Sequence, residues 1–86
     1  MKISIELTLA PLKNNYVPTI KSFIKKLRKL RVIINETPLS TQIYGEYDEI
    51  MNIIIPVIRK TFEHEDAVML HIKMIKGDRS QYEPDF

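Results

Sequence analysis

The fold is decided by the opening stretch Lys2-Ile3-Ser4-Ile5-Glu6-Leu7-Thr8-Leu9, in which polar and apolar residues alternate without interruption. Successive side chains of a β-strand point to opposite faces, so this period of two predicts a strand with one buried and one exposed face. Pro and Asn residues follow at positions 11, 14 and 15, and these residue types favour turns and helix caps. The buried face would carry Ile3, Ile5, Leu7 and Leu9, and the exposed face Lys2, Ser4, Glu6 and Thr8.

A first helix is predicted over residues 16–30, where apolar residues recur at helical spacing and lysines fill the remaining positions. Pro18 suits its first turn, because an N–H there has no intrahelical partner. The β-branched residues 32–37 then predict a second strand, and a third runs on from Pro38 to about Tyr47. Their close spacing suggests a hairpin.

A second helix is predicted from a cap at Asp48 to about Glu65. Pro56 lies inside it and should cause a kink or a broken turn near Asn52, whose carbonyl loses its hydrogen-bond partner. Residues 67–76 alternate again and predict a fourth strand. The expected apolar stripe of the second helix comprises Met51, Ile54, Ile55, Ile58 and Phe62.

The predicted order is therefore βαββαβ, the ferredoxin-like α+β arrangement of a four-stranded antiparallel sheet with two helices on one face. A chain of 86 residues allows one domain, which we place at residues 1–77, followed by a polar tail at 78–86 that we expect to be mobile unless a partner orders it. One face of the sheet stays uncovered. Its mixture of polar and apolar residues favours a subunit interface that encloses a small polar site.

Composition excludes several classes of protein. The absence of cysteine rules out disulfides, thiolate metal sites and a Cys nucleophile, and is most simply explained by a reducing cytoplasm. A net charge of +2 does not indicate nucleic-acid binding. No stretch is long and apolar enough for a signal peptide or a membrane span, so we expect a cytoplasmic protein without a membrane partner.

A run of hydrogen-bonding side chains, Pro38-Leu39-Ser40-Thr41-Gln42-Ile43-Tyr44-Gly45-Glu46-Tyr47, interrupts an Ile-rich sequence. It predicts a binding surface on the third strand, although strand propensity alone is an equally good explanation of the Thr and Tyr residues. Pleat alternation puts Thr41 and Tyr47 on the other side from Ser40, Gln42 and Tyr44, so that Thr41 could share their site only through a bulge or a second subunit. Gly45 could mark such a bulge or a close contact with a helix.

The parts required for catalysis or metal binding are missing from the sequence. His71 and His64 have no partner at ligand spacing, so a structural imidazole and a surface cation are the simpler interpretations and no metal is expected. No G-x-S-x-G elbow or glycine-rich phosphate loop occurs. The lysines at 21, 25 and 29 could touch phosphates, but a solvated helix face is commoner. We therefore predict a protein that is not an enzyme.

Three segments together resemble the small thiamine-binding proteins related to the YkoF type. They are Glu6-Leu7-Thr8-Leu9-Ala10-Pro11-Leu12, the stretch from Pro38 to Met51, and the ending Ile75-Lys76-Gly77-Asp78-Arg79. The resemblance implies a ferredoxin-like domain that associates through its sheet and binds thiamine or its hydroxymethylpyrimidine part without catalysis or a cofactor. YkoF-type proteins carry two such domains in one chain, so this chain would form a homodimer or homotetramer.

The resemblance and the polar run together give a predicted ligand site. An aminopyrimidine offers an amine donor beside ring-nitrogen acceptors, and a thiazolium cation is favoured by carboxylates and aromatic faces. No strong pyrophosphate site is evident, which favours free thiamine or the pyrimidine over the diphosphate. Two alternatives stay open: an interaction module without a ligand, and a small dimeric barrel enzyme that would use His71. The predicted ligand-binding residues are Glu6, Thr8, Ser40, Thr41, Gln42, Tyr44 and Glu46.

Overall fold

The computed structural model describes all residues from 1 to 86 and confirms the predicted ferredoxin-like α+β fold. Along the chain the elements are β1 (Lys2–Pro11), α1 (Val17–Leu27), β2 (Ile33–Glu36), β3 (Thr41–Glu46), α2 (Tyr47–His64) and β4 (Val68–Lys76). The strands form one antiparallel sheet in the order β2-β3-β1-β4.

The alternation of β1 separates the two faces of the sheet as predicted. Its isoleucine and leucine residues are all less than a tenth exposed and form the core with the inner residues of both helices. Burying aliphatic side chains is the main favourable contribution to folding. Both helices therefore cover one face, and the other face is open. The buried core comprises Ile3, Ile5, Leu7, Leu9, Phe23, Leu27, Leu30, Ile43, Ile50, Ile54 and Val57.

Helix α2 differs from its prediction in its N-terminal cap and in the face that it buries. The cap is Glu46, whose carboxylate accepts a hydrogen bond from the Glu49 N–H at 3.1 Å, and not Asp48. The helix continues unbroken through Pro56. The predicted stripe is only partly correct, since Ile55 and Phe62 are 60% and 47% exposed. The residues that α2 buries are Ile50, Ile54, Val57 and Thr61, which lie three or four positions apart.

The start of the C-terminal tail is attached to the sheet. The Gly77 N–H donates to the Lys2 carbonyl at 2.8 Å, and the Arg79 N–H donates to the Ser4 hydroxyl at 2.8 Å. Gly77 has a φ of 102°, a left-handed conformation that glycine adopts without strain. This turn brings residues 77–79 back toward β1. Neither helix is long and apolar enough to cross a membrane.

Candidate functional site

The register of the sheet gathers polar side chains at the centre of its open face. Glu6 of β1 lies opposite Gln42 of β3 on one side and opposite Lys73 of β4 on the other. Directly opposed residues of an antiparallel pair share a face, with Cβ atoms about 4.5–5.5 Å apart. Three strands thus place a carboxylate, an amide and an ammonium group in one row.

Glu6 is the only carboxylate in that row, and both its oxygens have a neighbour. Oε2 accepts a hydrogen bond from the Ser40 hydroxyl at 3.0 Å, and Oε1 lies 3.9 Å from Lys73 Nζ. The Glu6 side chain is still 39% exposed. Its oxygens can therefore accept further hydrogen bonds from a ligand on the open face.

A second polar group is centred on Gln42. Its Oε1 accepts hydrogen bonds from the Tyr44 hydroxyl at 3.0 Å and from Asn35 Nδ2 at 3.2 Å. The Gln42 amide nitrogen donates to no protein atom, so it can donate to a ligand. Glu6 and Gln42 thus offer an acceptor and a donor side by side.

Thr8 occupies the end of the site near the β2–β3 turn. Its hydroxyl donates to the Leu39 carbonyl at 3.3 Å, and its cross-strand neighbour is the exposed His71. Thr8 therefore supports the turn that carries Ser40. His71 faces the same side of the sheet, but the structure contains no group of three or more His, Asp or Glu side chains that could hold a metal ion.

Thr41 does not share this face. It pairs with Leu7 in a register that continues without a bulge, and only 5% of it is exposed. Its side chain therefore lies on the helix side, and it cannot contact a ligand bound beside Glu6. The bulge that would have brought Thr41 into the site is absent.

Glu46 lies on the open side but at the far end of β3 and already has structural partners. Besides capping α2, it lies 3.5 Å from the amino group of Met1. The Glu49 N–H, and to a smaller extent the charge of the amino terminus, lower the pKa of the Glu46 carboxyl. Glu46 lies four positions along the strand from Gln42, a distance of about 13 Å. The structure therefore groups Glu6, Ser40, Gln42 and Tyr44, with Thr8 adjacent, and separates Glu46 from them.

Sequence reasoning missed two residues of this site, Lys73 and Arg79. Lys73 was assigned only to a strand, and Arg79 to the polar segment after it. An open groove of about 230 Å³ now joins them to the central row. One signal was available, because the segment Gly77-Asp78-Arg79 belongs to the ending that carries the family resemblance. The groove is lined by Ser4, Ile5, Glu6, Gln42, Tyr44, Lys73, Ile75 and Arg79.

Comparison with known proteins identifies the family. Residues 2–77 match the YKOF-related family, and the chain belongs to it. No curated protein matches significantly in sequence.

Solved structures show the same fold. A protein from Streptococcus pneumoniae is 30% identical with a TM-score of 0.81, covering 91% of this chain and 89% of that one. A Thermotoga maritima protein, proposed to be a thiamine biosynthesis or salvage protein, is 18% identical with a TM-score of 0.78, covering 90% of this chain and 85% of that one. A hypothetical protein from Methanocaldococcus jannascii is 22% identical with a TM-score of 0.75, covering 90% and 81%.

Proposed function

We propose that this protein is a cytoplasmic, non-catalytic binding protein for thiamine or its hydroxymethylpyrimidine part, with the ligand on the open sheet face. The observation that carries the proposal is the row formed by Glu6, Gln42 and Lys73 at the centre of a face that no helix covers. Family membership and the likeness to the Thermotoga maritima protein support it.

The donors and acceptors of the row complement an aminopyrimidine. The exocyclic amine of the pyrimidine is a donor, and the Glu6 carboxylate is the acceptor with free lone pairs. The ring nitrogens are acceptors, and the Gln42 amide nitrogen is the free donor beside Glu6. Tyr44 adds an aromatic ring at the edge of the groove, against which a heterocycle can pack. An aminopyrimidine can thus satisfy both groups at once.

A second subunit would complete the site. Drug-sized ligands are usually bound in cavities of about 300–1,000 Å³ that surround most of their surface. The groove of about 230 Å³ is open, so one chain covers a ligand from one side only. The open face also exposes Ile33, Met69 and Ile75, each by about half. We propose that a second copy packs on these apolar residues and encloses the ligand between two sheets.

Calorimetric titration with thiamine and with hydroxymethylpyrimidine tests the proposal. Glu6→Gln removes the charge but keeps the shape, and it should weaken binding by about ten- to a hundredfold, since hydrogen bonds to charged groups contribute about 1.5–3 kcal/mol. Glu63→Gln is the matched control, because Glu63 is 65% exposed on α2 and pairs only with Arg59. A folded sample that gives no heat with either ligand at millimolar concentration would refute the proposal.

The proposed subunit contact has a separate test. Met69→Lys changes a half-exposed residue on the open face and should leave the folded chain intact while it shifts sedimentation from dimer or tetramer to monomer. Ile55→Lys, on the exposed side of α2, is the matched control. A wild-type protein that sediments as a monomer at every concentration would contradict a site shared between subunits.

A further inference from the structure

Ser4 is buried although it points to the uncovered face of the sheet. It lies opposite Tyr44 and Ile75, yet only 6% of it is exposed. The residues that cover it belong to the C-terminal segment. Its hydroxyl donates to the Gly77 carbonyl at 2.8 Å and accepts from the Arg79 N–H at 2.8 Å. One side chain thus uses its donor and an acceptor site to hold the backbone of residues 77–79 against the sheet.

This attachment brings the Arg79 side chain to the groove. Arg79 lines the groove with Glu6, Gln42, Tyr44 and Lys73, and its guanidinium forms no ion pair with any carboxylate. Gly77 is attached as well, because its carbonyl accepts a hydrogen bond from the Ser4 hydroxyl and its N–H donates to the Lys2 carbonyl. The turn is therefore held at both of its ends, at Gly77 and at Arg79.

The charges of the groove do not balance. Lys73 and Arg79 contribute two positive charges, and Glu6 contributes one negative charge at a distance of 3.9 Å from Lys73. A thiazolium cation alone would add a third positive charge. A phosphate group would restore the balance, and Arg binds phosphate oxygens with paired N–H donors of fixed geometry.

We infer that residues 77–79 form a wall of the ligand site and that Arg79, with Lys73, binds the phosphate of a phosphate monoester of the proposed ligand. This inference rests on the proposed function and changes the expectation from sequence, which favoured the unphosphorylated form. Arg79 acts as a specificity-determining residue, and Ser4 positions it.

The test compares thiamine with thiamine monophosphate, which differ only in the phosphate. The wild-type protein should bind the monophosphate at least about tenfold more tightly, as expected for one charge-assisted contact, and the difference should shrink with added salt. Arg79→Gln should reduce this preference, measured as the ratio of the two dissociation constants, to a few-fold or less, with Lys73 supplying what is left. Arg79→Lys should retain part of it. Arg59→Gln, which alters an exposed arginine on α2 away from the groove, is the matched control.

Ser4→Ala is a second variant, in which the Arg79 side chain keeps its positive charge. It removes both hydrogen bonds to the tail, so it should lower the preference for the monophosphate by less than Arg79→Gln does, and proteolysis should cut the freed tail faster. Equal affinity of the wild type for both ligands, or an unchanged preference in Arg79→Gln, overturns the inference while thiamine binding itself upholds the proposed function. Failure of thiamine, thiamine monophosphate and hydroxymethylpyrimidine to bind overturns both the inference and the proposed function.

Discussion

Replacing Gly45 with alanine should destabilise the protein by disturbing the contact between β3 and the entry to β2. A Cβ at this position would lie 2.8 Å from Val32 Cγ1 and 3.2 Å from Val32 Cβ, with Ile50 Cδ1 at 3.4 Å. The first distance is too short for two carbon atoms, so the strand or the Val32 side chain must move. No bulge occurs at Gly45. The expected close contact with a helix is limited to Ile50 of α2, and the nearer atoms belong to Val32, which precedes β2.

The magnitude follows from two opposing effects. Forcing an extra methyl group into a packed site costs about 1–3 kcal/mol, and restricting the unfolded chain by replacing glycine returns about 0.4–1 kcal/mol. The net loss should be about 1–2 kcal/mol, which for a domain of this size lowers the melting temperature by roughly 5–15 °C.

Thermal melts of a double-mutant cycle measure this effect. Val32→Ala removes the atom that clashes, so Gly45→Ala should cost much less in that background than in the wild type, with a coupling of about 1 kcal/mol or more. A Gly45→Ala protein that melts at the wild-type temperature would contradict a steric clash with Val32. So would a double mutant whose loss of stability equals the sum of the losses in the two single mutants.

Three further predictions concern the core, the site boundary and acid stability. Leu27→Ala should cost about 2–5 kcal/mol in denaturant unfolding, because Leu27 is completely buried; a loss below about 1 kcal/mol would contradict the core described above. Thr41→Val should leave ligand affinity within about twofold in titrations, since Thr41 faces the helices, and a tenfold loss would return it to the site. Hydrogen bonds from Lys13 and Thr19 hold the pKa of Glu65 below its ordinary value of 4.5, so its stabilisation is present above that pH and is lost as pH falls through the folded pKa. Melts of Glu65→Gln should therefore fall less steeply than wild type on acidification, and parallel curves would exclude this linkage.

Most of the fold could be predicted from the sequence because it depends on local periodicity. The alternation of β1 fixes which residues face the helices, and neighbouring strands follow the same period. The sequence did not determine which face of α2 is buried against the sheet. Ile, Val and Met fill so many of its positions that several stripes are possible, and the cap at Glu46 is what begins the helix at Tyr47.

The candidate site was predictable only where it depends on strand periodicity. The alternation of side chains along the strand correctly placed Thr41 on the opposite face of the sheet from Ser40 and Gln42. The structure groups Glu6 with Ser40 and Gln42, as expected for residues of adjacent strands. The position of Arg79 beside the groove depends on a hydrogen bond from its backbone to Ser4 across 75 positions of sequence, for which no local pattern exists. Glu46 shows the opposite problem, since a carboxylate suited to a ligand site also suits a helix cap.

The position of β4 at the edge of the sheet has a consequence for solubility. β4 has nine residues and pairs only with β1, so every second one of them directs an unpaired backbone N–H and C=O away from the sheet. Such an edge can recruit strands from other molecules and start aggregation, and charged side chains oppose this. Lys73 and Lys76 place charges on opposite faces of this strand. Lys73 thus protects the edge as well as taking part in the proposed ligand recognition, and we expect Lys73→Ile to aggregate more readily and to bind the ligand more weakly.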